Sequence, residues 1–367
     1  FWLKLLEAIG LPLGLMANVR GEAGWQATHQ KAFGKERWPT LLRALRGPVE
    51  HVAFLNRFLS AEQQAHVREE RQLSDHSAIP LACTCSGPAP PTLEDGDLEA
   101  DVEGQQVPQA ASSAPQGIDA LLLEPTLRSC YFMDGASVLA ALALDVQPGN
   151  TVLDLCAAPG GKALVLASLL FAPTGLYERS RESSGLLVCN DASRLRGQRL
   201  EKVLSSFLPT ELLEPGGRVR VTVADAGGNT SAPLSLQRAG PYDRILVDAP
   251  CTSDRHILRQ GKAALAHWAS GAVKANAERQ FELLKCASML LRPGGVILYS
   301  TCALSEQEND GVVAKFLRKA GDFKAEVLGE EGGIAMPPDA DRTTFGTLIL
   351  PDRTAYGPMY MARLRRS

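Results

Sequence analysis

Two cysteines, Cys251 in Asp248-Ala249-Pro250-Cys251 and Cys302 in Ser300-Thr301-Cys302, each stand just past a run of apolar residues. A deprotonated thiol is a nucleophile that can form, and later break, a bond to an electrophilic carbon. The runs before them, Arg244-Ile245-Leu246-Val247 and Val296-Ile297-Leu298-Tyr299, read as buried parallel strands. A third run, Thr151-Val152-Leu153-Asp154-Leu155, opens into Cys156-Ala157-Ala158-Pro159-Gly160-Gly161-Lys162. In an open parallel α/β sheet, ligands collect outside the carboxyl ends of the strands. All three motifs are therefore expected on one rim.

Glycines between a strand and a helix let the backbone approach a ligand and aim helix N-terminal amides at it. The spacing here is neither G-x-G-x-x-G nor the phosphate loop ending in Gly-Lys-Ser/Thr, because Ala163 follows Lys162. That weakens a nucleoside-triphosphate reading, and a bare Pro-Gly-Gly serves equally as a tight turn. Acids at the next two strand ends shift the balance. Leu186-Leu187-Val188-Cys189-Asn190 ends at Asp191, and Val219-Arg220-Val221-Thr222-Val223-Ala224 ends at Asp225. A carboxylate about 20 to 30 residues past the glycines suits a ribose diol, and one after the third strand suits an adenine amine. An adenosine-containing cofactor is expected.

In order and spacing, residues 154–162, Asp191, Asp225, residues 248–251 and Thr301-Cys302 resemble the motifs of the Nop/Sun RNA cytosine-5 methyltransferases. The resemblance covers roughly residues 119–367 and is greatest to the family's fourth, mitochondrial ribosomal-RNA branch. Tyr131-Phe132-Met133-Asp134-Gly135-Ala136-Ser137, Cys251-Thr252-Ser253-Asp254-Arg255-His256 and Tyr356-Gly357-Pro358-Met359-Tyr360 carry that closer likeness. Phe33-Gly34-Lys35-Glu36-Arg37-Trp38-Pro39 adds to it more weakly.

The resemblance implies a Rossmann-like S-adenosylmethionine-dependent methyltransferase sheet with helices on both faces. Cytosine C5 is a poor nucleophile until a thiolate adds at C6, which makes this covalent catalysis. By resemblance, Cys302 attacks C6, Cys251 assists breakdown of the adduct, and Asp248 bonds the base edge. Lys162 keeps the site electropositive and lowers the thiol pKa. Gly160, Gly161, Lys162, Asp191, Arg196, Asp225, Ala226 and Asp248 are expected to hold S-adenosyl-L-methionine. The implied partners are ribosomal RNA, the mitochondrial small ribosomal subunit or its assembly intermediate, and a terminator-type helical-repeat protein. The implied location is the mitochondrial matrix. A base in duplex RNA is out of reach, so the target is single-stranded or flipped out.

The 367 residues allow one large domain and a smaller one. No run of 18 uncharged apolar residues occurs, so no membrane span is expected. Eight cysteines without framework spacing do not form a secreted disulfide scaffold. Cys83-Thr84-Cys85 lacks the second pair of a zinc site, and no metal is expected. Cys130, Cys156, Cys189 and Cys286 read as small buried hydrophobes. The chain starts at Phe1, and no transit peptide is legible; a leader removed or left out is one explanation.

The net charge of −3 is unusual for an RNA binder until residues 94–103, with six acids and no base, are set aside; the remainder then carries +3. That run lies in a Pro/Ala/Ser/Gln-rich linker, residues 79–118, expected to be mobile and dispensable, the alternative being that its acids mimic RNA and shield the basic rim. Residues 1–78 before it read as mostly helical. Their bases Lys31, Lys35, Arg37, Arg43 and Arg46 suit either RNA phosphates or an ordinary solvated face. Residues 119–367 form the catalytic domain.

Residues 254–262 read as a basic loop on the active rim, with His256 as either an RNA contact or a loop histidine with no task, and a helix is expected over 272–291. Arg292-Pro293-Gly294-Gly295 reads as a turn, and Ser305 and Glu308 as a capping box. His267 and Trp268 are assigned to packing. Four further readings stay open. A DNA cytosine-5 methyltransferase would carry its nucleophile after the fourth strand, a small-molecule methyltransferase would need neither thiol, a transfer-RNA methyltransferase would share the motifs, and an assembly factor would use the fold only as an RNA platform.

Overall fold

The computed structural model of the chain describes residues 19–85, 127–172, 185–228, 231–329 and 335–367. The N-terminal region opens with helices α1 (Gly21–Phe33) and α2 (Trp38–Arg46). It continues through β1 (His51–Leu55), α3 (Ala61–Glu70), β2 (Leu73–Asp75) and β3 (Ala82–Cys85). Its strands pair antiparallel in the order β2-β3-β1-β4, where β4 (Cys130–Asp134) comes from beyond the linker.

Two expectations are corrected here. Val52-Ala53-Phe54-Leu55 is a strand and not a helix, with Val52 and Phe54 in one core and Ala53 and Leu55 in another. A short apolar run buried on both faces has no periodicity to distinguish it from a buried helix. The linker also starts later than residue 79, because Ile79, Ala82 and Cys83 are buried and β3 lies on β1. The rest of it, with the acidic run, lies outside the described residues.

The chain continues with α4 (Gly135–Ala143), β5 (Thr151–Asp154), α5 (Gly161–Phe171), β6 (Leu186–Asp191), α6 (Arg194–Phe207), β7 (Val219–Val223) and β8 (Tyr242–Asp248). After it come α7 (Asp254–Gln260), α8 (Ser270–Leu290), β9 (Leu291–Thr301), α9 (Asp310–Lys319), β10 (Phe323–Glu326), β11 (Asp341–Arg342), β12 (Thr347–Ile349) and β13 (Met359–Arg366). The strands order as β11-β12-β13-β9-β8-β5-β6-β7, with β10 on β13. The run from β9 to β7 is parallel, and β13 joins β9 antiparallel. This is the expected Rossmann-like sheet. Chain order reverses between β5 and β8, the position where such sheets bind ligands.

Alternate residues of the central strands feed two cores. Val152, Leu246, Val296 and Leu298 face α4, α5 and α6, while Leu153, Ile245, Val247, Ile297 and Tyr299 face α8 and α9. Burial on both faces explains why these strands read as continuous apolar runs. Residues 292–295 loop out of β9 between the register pairs Tyr242↔Leu291 and Arg244↔Val296, with Gly294 at φ +73°, so the expected turn is present. Among the described residues, no helix is long and apolar enough to cross a membrane.

Candidate active site

Asp248 and Ser300 are register partners at the ends of β8 and β9. The loops leaving these neighbouring strands bring the two thiols together, with Cys251 Sγ 3.2 Å from Cys302 Sγ. Ser253 Oγ lies 3.4 Å from Cys302 Sγ and 3.7 Å from Cys251 Sγ. Asp248 is held from both sides: its Oδ2 pairs with Lys162 Nζ at 2.9 Å, and its Oδ1 accepts the Ser300 hydroxyl at 2.8 Å. Lys162 also donates to Ser137 Oγ at 3.1 Å.

The thiols are not equivalent. Cys302 is held below the ordinary thiol value, first by the Cys251 S–H donated to it, against the cost of burial, and then by the Ser253 hydroxyl. Cys251 is pushed up by donating that bond, by burial, and by the charges of Cys302 and Glu308. Lys162 does lower the Cys302 thiol as expected, but Asp248 opposes it, so the thiol and hydroxyl donors decide the outcome.

Glu308 was assigned to a helix cap, and that is corrected. The following helix starts at Asp310, and the Glu308 carboxylate is buried on the loop after Cys251. It accepts from Thr252 N at 3.0 Å, from the Thr252 hydroxyl, and from Gln280 Nε2 at 2.9 Å. Tertiary partners 28 and 56 residues away override the local signal. The capping box exists elsewhere, at Ser60 and Gln63 of α3.

The basic loop over 254–262 is also corrected, since it contains a helix, α7, packed under the thiol loops. Asp254 is fully buried. Its Oδ1 accepts Trp25 Nε1 at 2.8 Å and lies 3.1 Å from His29 Nε2, and its Oδ2 accepts Leu304 N at 2.8 Å. Arg255 is buried and donates to the carbonyls of Gly357 and Pro48. Asp134 accepts from Ala136 N and Gly357 N, so two of the stretches singled out in the sequence meet.

Other assignments divide. Trp268 is buried as expected, whereas His267 is exposed. Cys189 and Cys286 are buried, but Cys130 and Cys156 only partly so. Arg37 is engaged by Asp341 and Asp352 and is structural, whereas Lys31, Lys35, Arg43 and Arg46 are exposed.

Two cavities meet at this rim. The first, about 230 Å³, is lined by Leu155, Asn190, Asp191, Arg196, Ala226 and Pro250 among others. The second, about 420 Å³, holds Asp248, Cys251, Cys302, Lys162, His256 and Arg259. Cys156, Arg196 and Pro250 line both. In the first, Asp191 is 3.3 Å from Arg196 and accepts Ser193 N at 2.9 Å. Asn190, missed in the sequence, donates to Leu155 O and Ala224 O and so joins three strand ends. Asp225, expected to hold the cofactor, does not line either cavity; it accepts Gly227 N at 2.9 Å and pairs at 3.3 Å with Arg279, which does line the first. Gly160, at φ +124°, has a packing reason as well: a Cβ there would stand 3.0 Å from Val203 on α6. Gly161 is the first residue of α5.

Asp154 is buried at the end of β5 with neither carboxylate oxygen hydrogen-bonded. Burial, then the nearby Asp248, pushes its pKa up to about 8. The folded chain thus keeps a proton that the unfolded chain loses near pH 4, so Asp154 costs stability increasingly from pH 4 to pH 8, at most about 1.4 kcal/mol per pH unit. Asp154→Asn is therefore expected to raise the thermal midpoint of the ligand-free protein more at pH 8 than at pH 5. A difference that stays flat across that range in calorimetry counts against this.

The family model for the 16S rRNA methyltransferase RsmB/F matches residues 141–365. The mitochondrial tRNA (cytosine(34)-C(5))-methyltransferase of Mus musculus is 34% identical over 248 residues, 66% of this chain and 65% of that protein. The 5-cytosine rRNA methyltransferase NSUN4 of Xenopus laevis is 36% identical over 256 residues, 64% of this chain and 56% of that one. The chain thus spans less than two thirds of the length of either relative. NSun6 from Pyrococcus horikoshii, solved with SFG, superposes with a TM-score of 0.62 at 21% identity, covering 93% of this chain and 97% of that one. The family match runs from the end of α4 into β13, through the whole parallel sheet and both thiol loops, and the chain therefore belongs to the RsmB/F family of 16S rRNA methyltransferases.

Proposed function

We propose that the chain methylates C5 of a cytosine in RNA through a transient bond between Cys302 and C6. The observation that carries this reading is a pair of unequal thiols 3.2 Å apart where the two cavities join. The cofactor is S-adenosyl-L-methionine, which when bound supplies an electrophilic methyl group. The residues present fit it: Asp191 suits the ribose, Ala226 and Pro250 give apolar walls to the adenine, and Arg196 and Lys162 lead toward the second cavity.

The cytosine enters the second cavity, with its polar edge toward Asp248, while His256 and Arg259 suit the flanking phosphates. Cys302 thiolate adds to C6 while N3 takes a proton from water, and Asp248 accepts the hydrogen bond from that N–H. The electron pair now available at C5 forms the bond to the methyl group, whose former bond to sulfur leaves its electrons on the sulfur, and N3 returns its proton to water. Cys251 starts with a raised pKa because it donates to, and sits beside, a charged Cys302. Once the Cys302 lone pair is in a C–S bond, those two causes vanish while burial and Glu308 remain, and Cys251 releases its proton to solvent more easily than before. The Cys251 thiolate then takes the C5 proton. The C5–H electron pair restores the C5=C6 bond, and the C6–S bond breaks with its electrons returning to Cys302.

The RNA proposed is mitochondrial small-subunit ribosomal RNA, in the subunit or an assembly intermediate in the matrix, with a role in ribosome biogenesis. The name of the Xenopus relative supports ribosomal RNA. A terminator-type helical-repeat partner for targeting rests on family resemblance alone. The 34% identity to a mitochondrial transfer-RNA enzyme keeps that substrate as the second reading. Labelled-methyl transfer to ribosomal RNA, transfer RNA and DNA, followed by bisulfite sequencing, tests the proposal. Label in DNA alone, or in no nucleic acid, overturns it.

The cofactor assignment makes its own prediction. Asp191 is nearly buried, so Asp191→Ala is expected to weaken cofactor binding about ten- to hundredfold, the equivalent of roughly 1.5–3 kcal/mol for hydrogen bonds to a charged group. Asp225 is half exposed and already shared with Arg279, so its alanine variant should lose less. Calorimetric titration with unchanged affinity in both variants would remove these residues from the cofactor site.

A further inference from the structure

We infer that the Ser253 hydroxyl is a catalytic hydrogen-bond donor, serving the Cys302 thiolate first and the Cys251 thiolate after it. Its oxygen is within reach of both sulfurs, at 3.4 and 3.7 Å. A serine hydroxyl carries one proton that rotates to suit its acceptor, so a single group can serve two neighbours in turn. The inference rests on the methyl-transfer reading for its catalytic consequence, while its core claim concerns the thiols themselves.

The backbone around Ser253 has no ordinary reason to carry this side chain. Its φ and ψ are 52° and 53°, in the left-handed region, which is uncommon for any residue with a Cβ. It also occupies the position before the first residue of α7, where a serine normally turns its oxygen onto the amides of the first helical turn. Ser60 before α3 and Ser193 before α6 both do so. Ser253 makes no such bond, and its hydroxyl is turned to the sulfurs instead.

Both sequence neighbours of Ser253 are pinned. Thr252 is gripped through its amide and hydroxyl by Glu308, and Asp254 by Trp25, His29 and the Leu304 amide. Strained backbone persists where its surroundings over-determine it, and it collects at functional sites. Here the surroundings hold one hydroxyl against the reacting sulfur.

The donor keeps its proton throughout. Before attack, O–H···S⁻ stabilises the Cys302 thiolate, as hydrogen bonds to charged acceptors are the strong ones. When the sulfur lone pair becomes the C6–S bond, Cys302 turns into a neutral thioether and a poor acceptor. The hydroxyl then rotates to Cys251, the thiol that must now carry charge.

The test is the pH dependence of iodoacetamide alkylation at Cys302, read by peptide mass spectrometry, in the parent chain and in Ser253→Gly and Ser253→Ala. Glycine suits the left-handed backbone, so that variant keeps the test valid if the alanine variant misfolds. The midpoint for Cys302 is expected to rise by about one pH unit in both, equivalent to tenfold less thiolate at a fixed lower pH, while Cys286 is unchanged. Methyl transfer to RNA should fall by a similar factor in kcat at unchanged KM. A Cys302 midpoint within a few tenths of the parent in the glycine variant overturns the inference, even if methylation drops, because serine would then act through shape alone. If the parent methylates no RNA, the functional reading falls while the alkylation profiles still decide the role of Ser253.

Discussion

Cys302→Ala is expected to abolish both methyl transfer and any covalent RNA adduct, whereas Cys251→Ala should leave RNA trapped on the protein. The two thiols touch, so neither proximity nor burial separates their roles. What separates them is their surroundings. Cys302 receives donors from Cys251 and Ser253, which favour its thiolate, and Cys251 sits beside the carboxylate of Glu308, which disfavours its own. The thiol that ionises first is the one that attacks. Losing the nucleophile removes the covalent route entirely. Losing the general base leaves attack and methylation in place and slows release by about 10²–10⁴-fold. Denaturing gel shifts with RNA and methyl donor read the difference, and an adduct seen with Cys302→Ala but not with Cys251→Ala would exchange the two roles. Because Cys251 also helps lower the Cys302 thiol, the Cys251 variant should form its adduct more slowly than the parent, and faster as pH rises toward the thiol range.

The rim of this site was legible in the sequence because its strands are buried on both faces. Continuous apolar runs, each ending in an acid or leading to a cysteine, fix β5, β6, β8 and β9 and place Asp154, Asp191, Asp248, Cys251 and Cys302 at one edge. The supports of that rim were not legible. Asp254 meets His29 across 225 residues of chain and Trp25 across 229, and Glu308 meets Thr252 across 56. No local pattern announces such pairs, and in Glu308 a local pattern pointed elsewhere. Ser253 carried no signal because its backbone conformation follows from how its neighbours are held. The N-terminal region was misread for a related reason: β1 completes a sheet with β4, which lies on the far side of the linker. A helical reading of residues 51–55 is sound until that partner is known.

The dependence on distant supports gives the second large expected effect, a loss of about 3–5 kcal/mol of stability in Asp254→Ala. The substitution leaves the Trp25 indole and the Leu304 amide without their acceptor and His29 without its carboxylate, all in the interior. Burial by itself raises the Asp254 carboxyl, but His29, Leu304 and Trp25 outweigh it and hold the group below the ordinary aspartate value. A carboxyl depressed in the folded state contributes stability above the unfolded pKa near 4, and that contribution fades as pH falls through the folded value. The gap between parent and variant should therefore be widest at neutral pH and narrow in acid. Tryptophan fluorescence during urea unfolding reads it directly, since Trp25, Trp38 and Trp268 cluster around His29 with ring centres 4.9 to 6.4 Å apart. The same variant should impair catalysis out of proportion to its distance from the cofactor, because Asp254 holds α1 to the loops that follow both cysteines. The N-terminal helices would then belong to the catalytic unit as part of the wall behind its thiols. A parent-like unfolding midpoint in Asp254→Ala would mean that α1 is held by its aromatic rings alone, and that the carboxylate only orients Leu304.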